Sequence, residues 1–229
     1  MVRCGKLMTS SVPWRIAFCE ETLVRRIRVA YFLEDRAHES LLKAIVRRVA
    51  REEGLPEAEL VHDVRSSRGG QALARFAEFV RDYSQGADLP FDFLVVAVDA
   101  NCSKYSHRVK QLRQLAEKAH YPAVDRIAFA VPDPHIERWY LLDPVALRRA
   151  IGGTRGPNVP AYKCEKAYYK SALRKILEDA GIDSLLGGVE YGEQIVQNIN
   201  DWLPVVKRDT GFRHFLQDLR SCFRSVSRL

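Results

Sequence analysis

Three acidic residues stand where an apolar run stops: Glu34 in YFLED, Asp99 in VVAVDAN, and Glu137 after AVPDPHI. If those runs are strands of one sheet, their carboxyl ends deliver the three carboxylates to one cleft, where open α/β sheets collect functional groups. Oxygen donors converging in this way suit Mg²⁺ or Mn²⁺, which prefer carboxylates, amide carbonyls and water. Each acid also has a plain structural reading. Glu34 with Asp35 would sit at the positive end of a following helix, Asp99 would cap a loop, and Glu137 would occupy a helix first turn. Asp133 and Pro134 read as the cap and first turn of that last helix, whereas Asp143 has no assigned role. His38 and His135 each lie near one of the acids, as a general base or as a packing residue.

Placing these acids requires alternating strands and helices. RRIRVAYFLE is β-branched and aromatic and reads as a strand. In RAHESLLKAIVRRVAREEG, Leu41, Leu42, Ile45, Val46 and Val49 recur at helical spacing before Gly54. ELVHDVRS predicts a second strand, and GGQALARFAEFVRDYSQG a helix with Leu73, Phe76, Phe79, Val80 and Tyr83 on one face. FDFLVVAVDAN is apolar on both faces, as a central parallel strand is. A helix over about 104–119, the strand DRIAFAV and a helix running to about Ala150 complete the series. The expectation is an α/β domain over 27–151, a Rossmann-like, mostly parallel sheet flanked by helices. Residues 1–26 form an N-terminal extension of uncertain structure. After the Gly/Pro loop GGTRGPNVPAY, residues 152–229 read as a helical C-terminal part.

Composition narrows the functional classes. The 229 residues are 47% hydrophobic and 28% charged, which fits a folded chain rather than a disordered one. No run approaches the roughly 18–20 apolar residues of a membrane span, and MVRCGKLMTSSVPWR lacks the apolar core of a secretory leader. The five cysteines (Cys4, Cys19, Cys102, Cys164, Cys222) are scattered with no metal-ligand spacing, so zinc sites and disulfides are not expected and a reducing cytoplasm is. The net charge of +7 favours a polyanionic partner, DNA or RNA, because neutralised phosphates release counterions. No GxxxxGK[ST] loop is present, so any ATPase would be a separate partner chain. A phosphotransfer domain with Asp99 as nucleophile finds no supporting Ser/Thr motif in VDANCSK.

The ordered set FLEDRAHESLLKAIV, VVAVDAN and HIERWYLLDP resembles Toprim-domain proteins, in particular the compact Toprim-like nucleases associated with bacterial phage defence. By position, Glu34 matches the family's first Glu, Glu39 its second acid, Asp99 and Asn101 its Asp-x-Asp, and Glu137 with Trp139 its Glu-x-Trp. The resemblance implies a Toprim-type sheet and metal-dependent cleavage of phosphodiester bonds in DNA or RNA. On that footing Asp99, Asn101 and Glu137 would hold Mg²⁺ or Mn²⁺ to stabilise phosphate charge and activate water. Glu34 would be general acid/base or a further metal ligand. Trp139, Leu141 and Leu142 would anchor Glu137. Asn101 departs from the pattern by one negative charge, which leaves two readings: a site using Asn101 as a neutral ligand, or a non-catalytic nucleic-acid-binding or effector-partner module.

Basic residues would then face the nucleic acid. Lys104 and Arg108 follow Asp99 one helix turn apart, facing phosphate or a solvated helix face. Lys163, Lys166 and Lys170 would share a helix face beside Tyr162, Tyr168 and Tyr169, suited to clamp a backbone and stack bases, with Arg208 and Arg213 extending the patch.

Overall fold

In a computed structural model, residues 26–55, 60–67, 70–84, 89–153, 161–165 and 167–228 are described; the expected extension over 1–26 lies outside them except for its last residue. The elements in chain order are β1 (Ile27–Leu33), α1 (Glu39–Glu52), β2 (Leu60–Ser66), α2 (Ala72–Asp82), β3 (Phe93–Ala97) and α3 (Tyr105–Lys118). There follow β4 (Ile127–Ala130), α4 (Glu137–Tyr140), α5 (Pro144–Ala150), α6 (Tyr168–Asp179), α7 (Gly192–Asn198), α8 (Leu203–Arg208) and α9 (Thr210–Val226). The four strands form one all-parallel sheet in the order β2-β1-β3-β4. The expected α/β architecture with a helical C-terminal region is therefore what the chain adopts.

Alternation along the strands sorts their side chains onto two faces. Val29, Tyr31 and Leu33 of β1, with Phe93, Val95 and Ala97 of β3, join one buried cluster with Leu42, Ile45, Val46 and Val49 of α1. Ala30, Phe32, Leu94, Val96 and Phe129 face the other way, onto Phe76, Phe79 and Val80 of α2 and Leu112 and Ala116 of α3. Because both faces are covered, β3 is buried at every position, as its unbroken apolar run predicts. α9 contributes Phe212, Phe215, Leu216, Leu219 and Phe223 to the first cluster, so the C-terminal helices share the core of the sheet. At roughly 1.5–3 kcal/mol for each large apolar side chain buried, α9 is an integral layer of the fold.

Chain direction reverses across the sheet between β1 and β3: from β1 the chain first moves outward to β2, then returns to β3 and continues to β4. Such a switch point opens a crevice at the carboxyl ends of the two strands. Glu34 immediately follows β1, and Asp99 lies just past β3.

Three local expectations are corrected. The helix over the segment following β4 is not continuous: α4 ends at Tyr140 and α5 begins at Pro144. Pro144 drives the preceding residue out of helical backbone, and Asp143 is extended (φ −117°, ψ 96°). Asp143, not Asp133, is the side-chain cap here, accepting from the N–H groups of Val145 and Ala146 at 3.0 Å each. Asp133 and Pro134 are joined by a cis peptide ahead of α4, whose N-cap position is Ile136. Lys163 is not helical, because the left-handed Ala167 (φ 62°) precedes α6 and stops it from extending toward residue 163. Lys166 lies outside the described residues, and Lys170 is exposed on α6. Finally, Cys102 and Cys164 are disulfide-bonded with Cα atoms 5.8 Å apart, against the expectation of unpaired cysteines. Their separation of 62 positions left no spacing signal, since tertiary packing alone brings them together.

The start of α1, beside the acids, is seated by a close backbone approach. A Cβ on Gly192 would lie 2.5 Å from the Leu41 nitrogen and 2.8 Å from its Cα. Gly192→Ala must push α7 off α1, and we expect a loss of about 1–3 kcal/mol in urea unfolding.

Candidate active site

The turn after β1 and the loop after β3 interlock through backbone and carboxylate. The Glu34 N–H donates to the Ala97 carbonyl at 2.8 Å, and the Asp99 N–H donates to Glu34 Oε2 at 2.8 Å. Asp99 is held from both sides. His38 Nε2 bonds its Oδ1 at 3.1 Å and His135 Nδ1 bonds its Oδ2 at 3.2 Å. His38 is fully buried, and its Nδ1 meets Asp35 Oδ1 at 3.1 Å. Asp35 Oδ1 also accepts from the Ala37 N–H at 2.7 Å, capping the 3₁₀ turn that presents His38. An imidazole can serve two carboxylates only with a proton on each nitrogen, so His38 is a buried cation here.

The electrostatics agree with that geometry. Burial pushes the His38 pKa down, but the charge of Asp99 and the bonds to Asp35 and Asp99 outweigh it and raise the pKa to about 10. For Asp99, burial favours the neutral acid, yet His38 and His135 hold its carboxyl below the usual carboxylate range. Glu34 and Glu137 move the other way: burial raises each, and the Asp99 charge raises them further. The cluster thus contains four acids, Glu34, Asp35, Asp99 and Glu137, against two imidazoles. Neither Glu34 nor Glu137 has an ion-pair partner among the described residues.

Glu137 is presented by the first turn of α4, and α4 is anchored through its neighbours. Trp139 is buried against Phe212 and Phe215 of α9, and its Nε1–H donates to Asp209 Oδ1 at 3.2 Å. The guanidinium of Arg138 pairs with Asp209 Oδ2 and donates to the Asp133 carbonyl at 2.9 Å. Asp209 also caps α9, accepting from the Phe212 N–H at 2.7 Å. One buried carboxylate thereby ties α4 to α9. The expected apolar anchor for Glu137 is present in Trp139, Leu141 and Leu142, all buried.

The remaining sequence-derived residues divide. Asn101 is exposed, left-handed (φ 48°), and bonded through Nδ2 to the Asp99 carbonyl at 3.4 Å. Glu39 is turned to Lys43, 2.7 Å away, and is not brought into the cluster. Arg108 serves the loop after β3, donating to the Ala100 carbonyl at 3.3 Å and to Gln111 Oε1 at 3.1 Å. Lys104 is exposed and lines a cleft of about 410 Å³ with Asp133, Arg138, Arg208 and His214. Lys163 pairs with Glu165 and lies over the Tyr168 ring at 4.9 Å. The paired imidazoles around Asp99 were not assigned that role from sequence; the available signal was Asp35 three residues before His38, a helix-turn spacing.

Whether the cluster suits a divalent cation is decided by its donors. No group of three or more His, Cys, Asp or Glu side chains among the described residues already stands in ligating arrangement. The donor chemistry nevertheless fits a hard ion. Glu34 and Glu137 carry charge that burial and Asp99 disfavour, which a dication would relieve. Each Asp99 oxygen keeps a second lone pair beyond its imidazole bond.

Two stability outcomes follow. The raised folded-state pKa of His38 means that its stabilisation is fully present below its ordinary value of 6.5 and fades as pH rises toward about 10. His38→Leu, which strands buried Asp99, is expected to cost about 3–5 kcal/mol near pH 6, with the gap to wild type narrowing toward pH 10 in urea unfolding. Glu34 and Glu137 have the opposite balance. Their raised values favour the fold below the ordinary 4.5, and that contribution is lost as pH rises through the folded value. At pH 7, Glu34→Gln and Glu137→Gln are therefore each expected to raise Tm by roughly 2–4 °C, read by calorimetry. Comparison with protein-family models, with curated proteins and with solved structures finds no match, so the chain's own residues carry the functional reading.

Proposed function

We propose that the chain is a metal-dependent phosphodiesterase acting on DNA or RNA, a nuclease of the Toprim kind. The observation that carries this reading is the grouping of Glu34, Asp99 and Glu137 about the crevice between β1 and β3, with Glu34 and Glu137 making no ion pair among the described residues. A bound Mg²⁺ or Mn²⁺ would stabilise charge on the phosphate and acidify a coordinated water. Glu34 and Glu137 are the residues to hold it, with Asp99 contributing from between them and Asn101 offering a neutral amide oxygen at the rim. Asp99 is oriented by His38 and His135, and its own N–H orients Glu34. Glu34 is either one of these ligands or, if it stays off the metal, a general acid/base whose raised pKa brings proton transfer closer to neutrality. The net charge of +7 and the cleft holding Lys104 and Arg208 supply cationic groups for a phosphate backbone. A link to phage defence, and to a separate ATPase chain, comes from the sequence resemblance and the lack of a nucleotide-binding loop.

A second reading, a non-catalytic nucleic-acid-binding or effector-partner module, is favoured by one observation: both Asp99 oxygens are engaged by imidazoles while Asn101 is exposed.

The deciding experiment incubates the protein with plasmid, single-stranded DNA and RNA in Mg²⁺, Mn²⁺ or EDTA. Cleavage is expected only with metal, and Glu34→Gln, Asp99→Asn and Glu137→Gln should each lower the rate by about 10²–10⁴. Activity that survives EDTA, or that is unchanged in both Glu34→Gln and Asp99→Asn, refutes the mechanism. Binding without cleavage under every metal selects the module. Independently of activity, Mn²⁺ should raise the Tm of wild type and not that of Glu34→Gln/Glu137→Gln, since only a folded-state site is stabilised by its ligand.

A further inference from the structure

The loop between β3 and α3 has an unusual backbone. Asn101 (φ 48°), Cys102 (φ 67°) and Lys104 (φ 65°) all lie in left-handed conformations that side chains other than glycine rarely adopt. This loop begins at the Asp99 end of the site and carries both Asn101 and Lys104. Local bonds hold its base, from the Asn101 N–H to the Pro134 carbonyl at 3.0 Å and from Arg108 to the Ala100 carbonyl. Its crest is held by the bond from Cys102 to Cys164.

Cys164 belongs to residues 161–165, which lie outside any helix or strand and precede α6. That segment is fastened on two further sides. The Lys163 N–H donates to Tyr169 Oη at 2.9 Å, and the Tyr169 ring is buried in the core. Tyr162 donates through its hydroxyl to Asp133 Oδ2 at 3.2 Å, and the Arg138 guanidinium lies 5.3 Å from the centre of its ring. Asp133 and Arg138 flank His135 and Glu137 in the chain, so the segment joins the loop after β3 to the approach to α4. The disulfide closes this bridge across the rim of the site.

Both bonded cysteines are exposed residues, at the surface where external thiols act. Cys222 is buried and burial pushes its thiol up to about 12, which keeps it from acting as an attacking thiolate.

We propose that the Cys102–Cys164 bond is a reversible redox clamp on the loop carrying Asn101 and Lys104, and that the oxidised protein is the form organised to receive a phosphodiester. A dithiol reductant opens it. One thiolate attacks a sulfur of the pair, the S–S bond breaks, and the departing cysteine leaves as thiolate and takes up a proton. The second reductant thiol then resolves the mixed disulfide, so that two electrons and two protons pass to the cysteines and the reductant becomes a disulfide. Reduced, the three left-handed residues are free to relax and Lys104 loses its fixed place. The clamp stands on geometry alone; its effect on phosphodiester binding rests on the function proposed above.

The test uses the full chain equilibrated with oxidised glutathione or with dithiothreitol. Alkylation and peptide mapping should find a Cys102–Cys164 cross-linked peptide in the first state, lose it in the second and recover it on reoxidation. Amide exchange should quicken on reduction in 100–104 and 161–165 while β1 and β3 stay protected. Affinity for a fluorescent single-stranded oligonucleotide in EDTA should fall about fivefold or more on reduction, the scale of ordinary coupling between sites. Cys102→Ser and Cys164→Ser should both match the reduced wild type and no longer respond to redox state. Free alkylation of both cysteines after oxidation, equal exchange of the two segments, or equal affinity in the two states overturns the proposal. If the segments respond but the oligonucleotide binds in neither state, in EDTA or in Ca²⁺, the clamp is upheld and its link to phosphodiester binding falls.

Discussion

A buried carboxylate at the end of the central strand is the constraint around which this molecule is arranged. Asp99 is 8% exposed and charged, a state that burial strongly disfavours unless cationic donors surround it. Two imidazoles meet the requirement, and each imposes a demand on a different part of the chain. His38 must be carried to Asp99 by the turn that Asp35 caps, which sets where α1 begins. His135 must be carried by the turn before α4, which sets where Glu137 stands. The turn that bears His135 leads directly into Glu137, and Glu34 reaches the same place from the end of β1. Burial and the Asp99 charge raise the pKa of both, and neither has an ion-pair partner among the described residues.

The ordering of the sheet adds a second level. Parallel strands covered on both faces cannot expose functional groups along their length, so chemistry is confined to their ends. Between β1 and β3 the following connections lead to opposite edges of the sheet, one to β2 and the other to β4, which opens a crevice there. Glu34 and Asp99 are placed there by position in the chain alone. Glu137 is different: α4 is a four-residue helix that would not hold itself, and it depends on Asp209, Trp139 and α9 for its seat. Two of the acids are positioned by topology and the third by tertiary packing.

That difference explains what could be read from the sequence. The strands were legible because FLVVAV and VAYFL carry the apolar signature of doubly covered parallel strands, and the acids were legible as the residues that end them. The apolar anchor of Glu137 was legible from Trp139 and the two leucines that follow. What escaped depends on contacts distant in sequence or on a single backbone angle. The two-sided hold on Asp99 joins residues from three segments. The pairing of Cys102 with Cys164 spans 62 residues, and the break before α5 turns on what Pro144 does to Asp143. Lys163 reads as helical by periodicity, but the left-handed Ala167 intervenes.

The junction at Asp209 has a consequence for the order of assembly. Every acidic and imidazole residue of the site is translated well before α9, yet the turn bearing His135 and Glu137 is held in place through Asp209 and the aromatic side chains of α9. A nascent chain therefore owns all of its acids before it can bring them together. The pocket of carboxylates and imidazoles is therefore completed by a helix more than seventy residues further along the chain, and it forms only when α9 closes over the sheet.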